Sequence, residues 1–164
     1  MEQAGERDGA STRGRLVERR AREVPVKAKT PDRRRLDRLD QAIARKPAIV
    51  IVELGANDGL RGLPVATTRA NLEQIIAGLQ KAGARIVLAG MTLPPNYGPD
   101  YIRSFQRIYP ELAAKHKLAL IPFLLEGVVG DTRYMQRDGL HANVEGNRRV
   151  AENAMRALAP LLER

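Results

Sequence analysis

The sequence predicts an α/β fold in which a parallel sheet is covered by helices on both faces. Three observations carry this expectation: short continuous runs of β-branched and aliphatic residues, amphipathic stretches of helical period between them, and repetition of that strand-then-helix order along the chain. The 164 residues suffice for one domain with its own hydrophobic core.

The regular pattern starts after Pro47. Ala48-Ile-Val-Ile-Val-Glu-Leu54 is a continuous apolar run closed by Gly55, which reads as a strand buried on both faces. Between residues 66 and 82, Leu72, Ile75, Ile76 and Leu79 recur at helical spacing, and Gly83 supplies a C-terminal cap. Arg85-Ile-Val-Leu-Ala-Gly90 is the second strand. The loop Leu93-Pro-Pro-Asn-Tyr-Gly98 follows, then a helix over about residues 99 to 116 with a bend expected at Pro110. Leu118-Ala-Leu-Ile-Pro-Phe-Leu124 is the third strand, and a long helix from Val144 to Leu162 places Val150, Met155, Leu158 and Leu162 on one side.

The front differs in kind. Residues 1–46 hold 14 Lys and Arg against 8 Asp and Glu, so that +6 of the net charge of +9 lies there, together with only eight large aliphatic residues. All six aromatics lie between Tyr97 and Tyr134. Leu36, Leu39 and Ile43 are spaced for a short helix leading into the first strand, and Gly14 to Arg22 for another, but Val24 to Arg35 shows no period. The expected organisation is an irregular basic segment over 1–35 and one domain over 36–164. An arginine-rich arm can serve a nucleic acid or an anionic surface, but the domain itself carries little excess charge and no specific nucleic-acid partner is expected. Cysteine is absent, which excludes disulfides, thiolate metal sites and cysteine nucleophiles. No run is long enough for a membrane span, and no apolar stretch follows the N-terminal charges as a secretion signal requires. The compartment stays open.

In an open α/β sheet, ligands bind beyond the C-terminal ends of the strands. The loop after the first strand reads Gly55-Ala-Asn57-Asp58-Gly59-Leu-Arg-Gly62. An amide at Asn57 could stabilise a developing oxyanion; an Asx-type turn among glycines is the plainer alternative. Before the last helix stands Asp138-Gly-Leu-His141. A carboxylate three residues ahead of a histidine can accept the Nδ1 hydrogen bond and fix the tautomer while Nε2 faces a nucleophile, although it can also merely cap a turn. His116, between two lysines at a helix end, is expected to be solvated and structural.

These blocks, in this order and on this framework, resemble the SGNH (GDSL-type) hydrolase superfamily, whose third block is Gly-x-Asn-Asp and whose fifth is Asp-x-x-His. Ile51 to Gly62, Leu93 to Gly98, Ile108-Tyr-Pro-Glu-Leu112 and Asp138 to His141 are similar to its bacterial thioesterase, arylesterase and lysophospholipase branch over about residues 36 to 162. The resemblance implies a three-layer α/β/α sandwich of flavodoxin-like type and a carboxylic-ester hydrolase with a Ser-His-Asp mechanism, acting on a small acyl ester or thioester without metal or organic cofactor. His141 would be the general base and acid, Asp138 its orienter and Asn57 the oxyanion donor. Gly55, Gly59, Leu60, Arg61, Met91 and Leu93 would line the acyl pocket.

The resemblance also implies a nucleophilic serine in a Gly-Asp-Ser-Leu strand, farther ahead of the asparagine block than the 56 residues preceding Asn57 allow. The serines present are Ser11, with no apolar strand before it, and Ser104, within a predicted helix. The second block's glycine falls near Lys29, where none stands. The chain is therefore expected to be a truncated or altered form without its nucleophile, its front a misread translation, and its nucleophile is unassigned. The alternative is a non-catalytic domain that binds an acyl chain or a partner. In the resembling sheet order, 2-1-3-4-5, the absent first strand would leave residues 48–54 at an open edge prone to self-association.

Overall fold

The structure, a computed structural model, describes residues 33–163. Residues 1–32, with Ser11, the helix expected at Gly14 to Arg22 and most of the segment expected to be irregular, lie outside the described residues. The elements run α1 (Arg33–Ala44), β1 (Ile49–Val52), α2 (Ala56–Leu60), α3 (Val65–Lys81), β2 (Arg85–Ala89), a 3₁₀ turn (Pro95–Tyr97), α4 (Pro99–His116), β3 (Ala119–Ile121) and α5 (Val144–Leu162).

The three strands form one parallel sheet in the order β1-β2-β3. Val50 pairs with Ile86 and Val52 with Leu88, while Val87 pairs with Ala119 and Ala89 with Ile121. Side chains alternate across a strand, so β2 feeds two cores. Ile86 and Leu88 join Val50, Val52, Leu72, Ile76, Leu79, Phe105, Ile108 and Leu112 beneath α3 and α4. Val87 and Ala89 join Ile121 on the opposite face, where Val150, Ala154, Leu158 and Leu161 of α5 cover them. Helices thus lie on both faces, giving the expected three layers.

β1 and β3 are shorter than their apolar runs, while β2 covers all of its own. β3 ends at Ile121 because Pro122 has no N–H for the ladder. Leu54 leaves the ladder but stays buried in the core. α5 has the bounds that its periodicity predicts, and α4 continues through Pro110. α1 packs on α3, where a side chain at Gly78 would come within 2.9 Å of Leu39 Cδ2. His116 corrects its expectation: it is largely covered, with Nε2 3.2 Å from Glu73 Oε1 and Nδ1 3.3 Å from Gln80 Oε1, so it joins α4 to α3 instead of facing water.

Candidate active site

Parallel strands put all their C-terminal ends at one edge of the sheet, and the segments after β1, β2 and β3 emerge there. The long connection after β3 leads back to the start of α5. Its last part is a closed loop. Met135 and Ala142 form an antiparallel bridge, the N–H of Gln136 donates to the His141 carbonyl at 2.7 Å, and Gln136 Nε2 donates to the Ala142 carbonyl at 3.0 Å. At its tip Gly139 adopts φ +65°, and its N–H donates to the Gln136 carbonyl at 3.0 Å. A side chain there would strain the turn.

This loop brings Asp138 and His141 together. Oδ2 of Asp138 lies 2.6 Å from Nδ1 of His141, while Oδ1 accepts the backbone N–H groups of Leu140 (2.9 Å) and His141 (3.0 Å). The His141 side chain, followed by those two N–H groups, holds the Asp138 carboxyl down at about 2. A carboxylate bonded at Nδ1 assigns the proton to that nitrogen and leaves the lone pair on Nε2. The His141 side chain is 69% exposed, so Nε2 is within reach of a ligand.

Asn143 anchors the loop to α5. Its Oδ1 accepts the Gly146 N–H at 2.9 Å as the helix N-cap, and its Nδ2 donates to the Arg133 carbonyl at 2.8 Å. Asn153, buried on the same helix, donates through Nδ2 to the carbonyls of Leu124 (3.0 Å) and Glu126 (2.9 Å), fixing the start of the connection.

Asn57 is exposed on α2, in a segment that reads from sequence as a loop. Gly55 precedes the helix at φ +108° and accepts the N–H groups of Asp58 (2.9 Å) and Gly59 (3.0 Å). Asp58 is buried, with Thr68 Oγ1 3.5 Å from its Oδ2. The segment rests on a row of aromatics. Tyr109 donates to the Leu54 carbonyl (3.0 Å), Tyr97 to Leu60 (2.7 Å) and Tyr101 to Leu63 (2.7 Å). A side chain at Gly59 would come within 2.9 Å of the Phe105 ring and 2.6 Å of Leu93 Cδ2. Burial pushes up the phenol pKa values of Tyr101 and Tyr109, and the Asp58 charge adds to both.

Of the expected pocket residues, Gly59 and Leu93 are packed into the core, Gly55 touches Tyr109, Leu60 and Met91 are half-buried, and Arg61 is exposed. Ser104 is exposed on α4. Among the described residues no group of three His, Asp or Glu side chains is arranged to hold a metal ion, and no helix is long and apolar enough to cross a membrane. The tyrosines, Asn143 and Asn153 were not singled out by sequence; the four-residue spacing of Tyr97, Tyr101, Phe105 and Tyr109 was the available signal.

The family described as GDSL-like lipase/acylhydrolase matches residues 4–149, a span that begins well ahead of Leu36. The chain is 47% identical over 128 residues to Esterase TesA of Pseudomonas aeruginosa, 42% over 118 residues to an arylesterase of Vibrio mimicus, and 38% over 134 residues to thioesterase 1/protease 1/lysophospholipase L1 of Escherichia coli K12. These matches take in 77%, 71% and 77% of this chain but 64%, 59% and 64% of the relatives' lengths. Among solved structures, TesA superimposes with a TM-score of 0.73 at 46% identity, covering 77% of this chain and 71% of that one. AlinE4, an SGNH-hydrolase family esterase, gives 0.61 at 40%, covering 78% and 69%. The family match and these identities, on a sheet that ends in an Asp138–His141 pair, show that the chain belongs to the GDSL-like lipase/acylhydrolase family.

Proposed function

We propose that the chain supplies the histidine, aspartate and asparagine of a carboxylic-ester hydrolase acting on small acyl esters or thioesters. The observation that carries this reading is the 2.6 Å contact between Asp138 Oδ2 and His141 Nδ1, made by a carboxylate whose other oxygen is tied to two backbone N–H groups. Nε2 of His141 then takes the proton of an attacking hydroxyl and returns it to the leaving group, and Asp138 stabilises the imidazolium formed in between. The Asn57 amide donates to the oxyanion of the tetrahedral intermediate. Leu60, Arg61 and Met91 contact the acyl group, backed by Gly55, Gly59 and Leu93. Among the described residues β1 has a strand on one side only, which supports self-association through Ile49–Val52.

The mechanism needs an oxygen nucleophile opposite Nε2, and neither Ser11 nor Ser104 stands in a Gly-Asp-Ser-Leu strand. The purified 164-residue chain is therefore expected to hydrolyse short p-nitrophenyl esters no faster than its His141→Ala variant, and to resist labelling by a fluorophosphonate. Saturable turnover lost in Ser11→Ala would instead make Ser11 the nucleophile. With a family-like Gly-Asp-Ser-Leu strand grafted ahead of Leu36, hydrolysis should appear and depend on His141 and Asp138. Asn57→Ala in that graft should lower kcat by about 10²–10³-fold. A graft that folds but stays inactive, or whose activity ignores His141, overturns the proposal.

A further inference from the structure

α2 spans five residues, too few to hold itself in place, since isolated helices are marginal below about 12–15 residues. Its position must come from outside. Four aromatics at four-residue spacing supply it: Tyr97 at the end of the 3₁₀ turn and Tyr101, Phe105 and Tyr109 on one face of α4. Their rings follow one another at centroid separations of 6.4, 6.4 and 5.7 Å. The three hydroxyls donate to the carbonyls of Leu54, Leu60 and Leu63, which bracket Asn57 on both sides, and Phe105 sits against Gly59 between them. Gly55 and Gly59 lack side chains where Tyr109 and Phe105 stand. Apolar packing alone would not select hydroxyls at three of four positions, each aimed at a main-chain oxygen of one segment.

We propose that Tyr97, Tyr101 and Tyr109 are positioning residues for Asn57, a row of phenols that grips the main chain on either side of α2 and so fixes where the side-chain amide is presented. The proposal rests on the reading of Asn57 as the oxyanion donor. None of the three tyrosines touches the reacting atoms in this scheme; they act through the backbone of residues 54–63. The carbonyl of Leu54 lies under a nearly fully buried ring, so water does not replace the Tyr109 hydroxyl.

The test uses the 15N-labelled 164-residue chain and its Tyr97→Phe, Tyr101→Phe and Tyr109→Phe variants. Ile108→Val serves as a control that loosens α4's core contacts without removing a hydroxyl. Each phenylalanine should shift the Asn57 side-chain amide resonances. It should also speed exchange at Asp58, Gly59, Gly62 and Leu63 by about fivefold relative to the β2 amides, the factor that one net hydrogen bond supplies. Ile108→Val should move both sets of amides together and leave the Asn57 side chain in place. If Tyr109→Phe does not fold, the half-buried Tyr97 and Tyr101 decide. Unmoved Asn57 resonances with uniform exchange overturn the proposal. Titration with butyrate, a product-like carboxylate, separates the two readings. The parent's Asn57 amide should respond to it, and the variants should need a several-fold higher concentration. A parent that ignores butyrate overturns Asn57 as oxyanion donor, whereas an equal response in parent and variants overturns the positioning role alone.

Discussion

Placing a methyl group at Gly55 should destabilise the chain by about 2–6 kcal/mol. Two effects add. The residue adopts φ +108°, ψ −24°, where an L side chain costs about 1–3 kcal/mol. The new methyl would also intrude on the Tyr109 hydroxyl and lie 3.3 Å from the Thr68 methyl. Relief requires the phenol to leave the Leu54 carbonyl, and separating that buried pair costs about 1–3 kcal/mol. For a domain of this size the sum lowers Tm by about 4–24 °C. The assay is chemical denaturation of the parent, Gly55→Ala, Tyr109→Phe and the double variant. Removing the hydroxyl makes room for the methyl, so the double variant should be more stable than additivity predicts by about 1 kcal/mol or more. An additive double variant, or a Gly55→Ala cost below about 0.5 kcal/mol, would show that the hydroxyl and the glycine are not coupled.

Asp138 titrates at about 2 in the folded chain, below its ordinary value, so the stability it contributes is present above about pH 4 and is lost as pH falls toward 2. Asp138→Asn should flatten part of the pH dependence of the denaturation midpoint in that window. Asp131, held at about 2 by Arg133, accounts for another part, and the double Asn variant should be flatter still. Asn153→Leu should cost about 2–5 kcal/mol in urea denaturation, because two carbonyls under α5 lose their donor; a loss below about 1 kcal/mol would mean that water takes its place.

The layered sheet is legible because packing on both faces writes a continuous apolar run, as in Ile49 to Val52, where Val50 and Val52 are buried and Ile49 and Ile51 are half-buried. The stripe of α5 is only partly so: Val150 and Leu158 pack on the sheet with Ala154 and Leu161, whereas Met155, expected beside them, is exposed. Strand ends were less legible, since the ladder stops where a donor is missing, at Pro122, and not where hydrophobicity stops. α2 escaped detection because five residues including Gly59 carry no period. The Asp138–His141 pair was readable because three-residue spacing in a turn leaves little freedom. The grip of Tyr97, Tyr101 and Tyr109 was not, because its acceptors are main-chain oxygens about 37 to 55 residues away, and a backbone carbonyl has no letter in the sequence. His116 misled for a related reason: its lysine neighbours lie along the chain, but Glu73 and Gln80 come from another helix.

The bridge between Met135 and Ala142 makes the geometry of the Asp138–His141 pair almost wholly a local property. The bonds within the loop's tip join residues at most six apart, and Asn143, bonded to the carbonyls of Tyr134 and Arg133 nine and ten residues back, closes its base. Closing so short a loop costs little chain entropy, and contacts of such low order form early. The pair is thus a transferable cassette. Insertions elsewhere in the sheet need not disturb it, and an octapeptide spanning Met135 to Ala142, set ahead of an asparagine-capped helix in another scaffold, carries most of the instructions for a carboxylate-oriented imidazole.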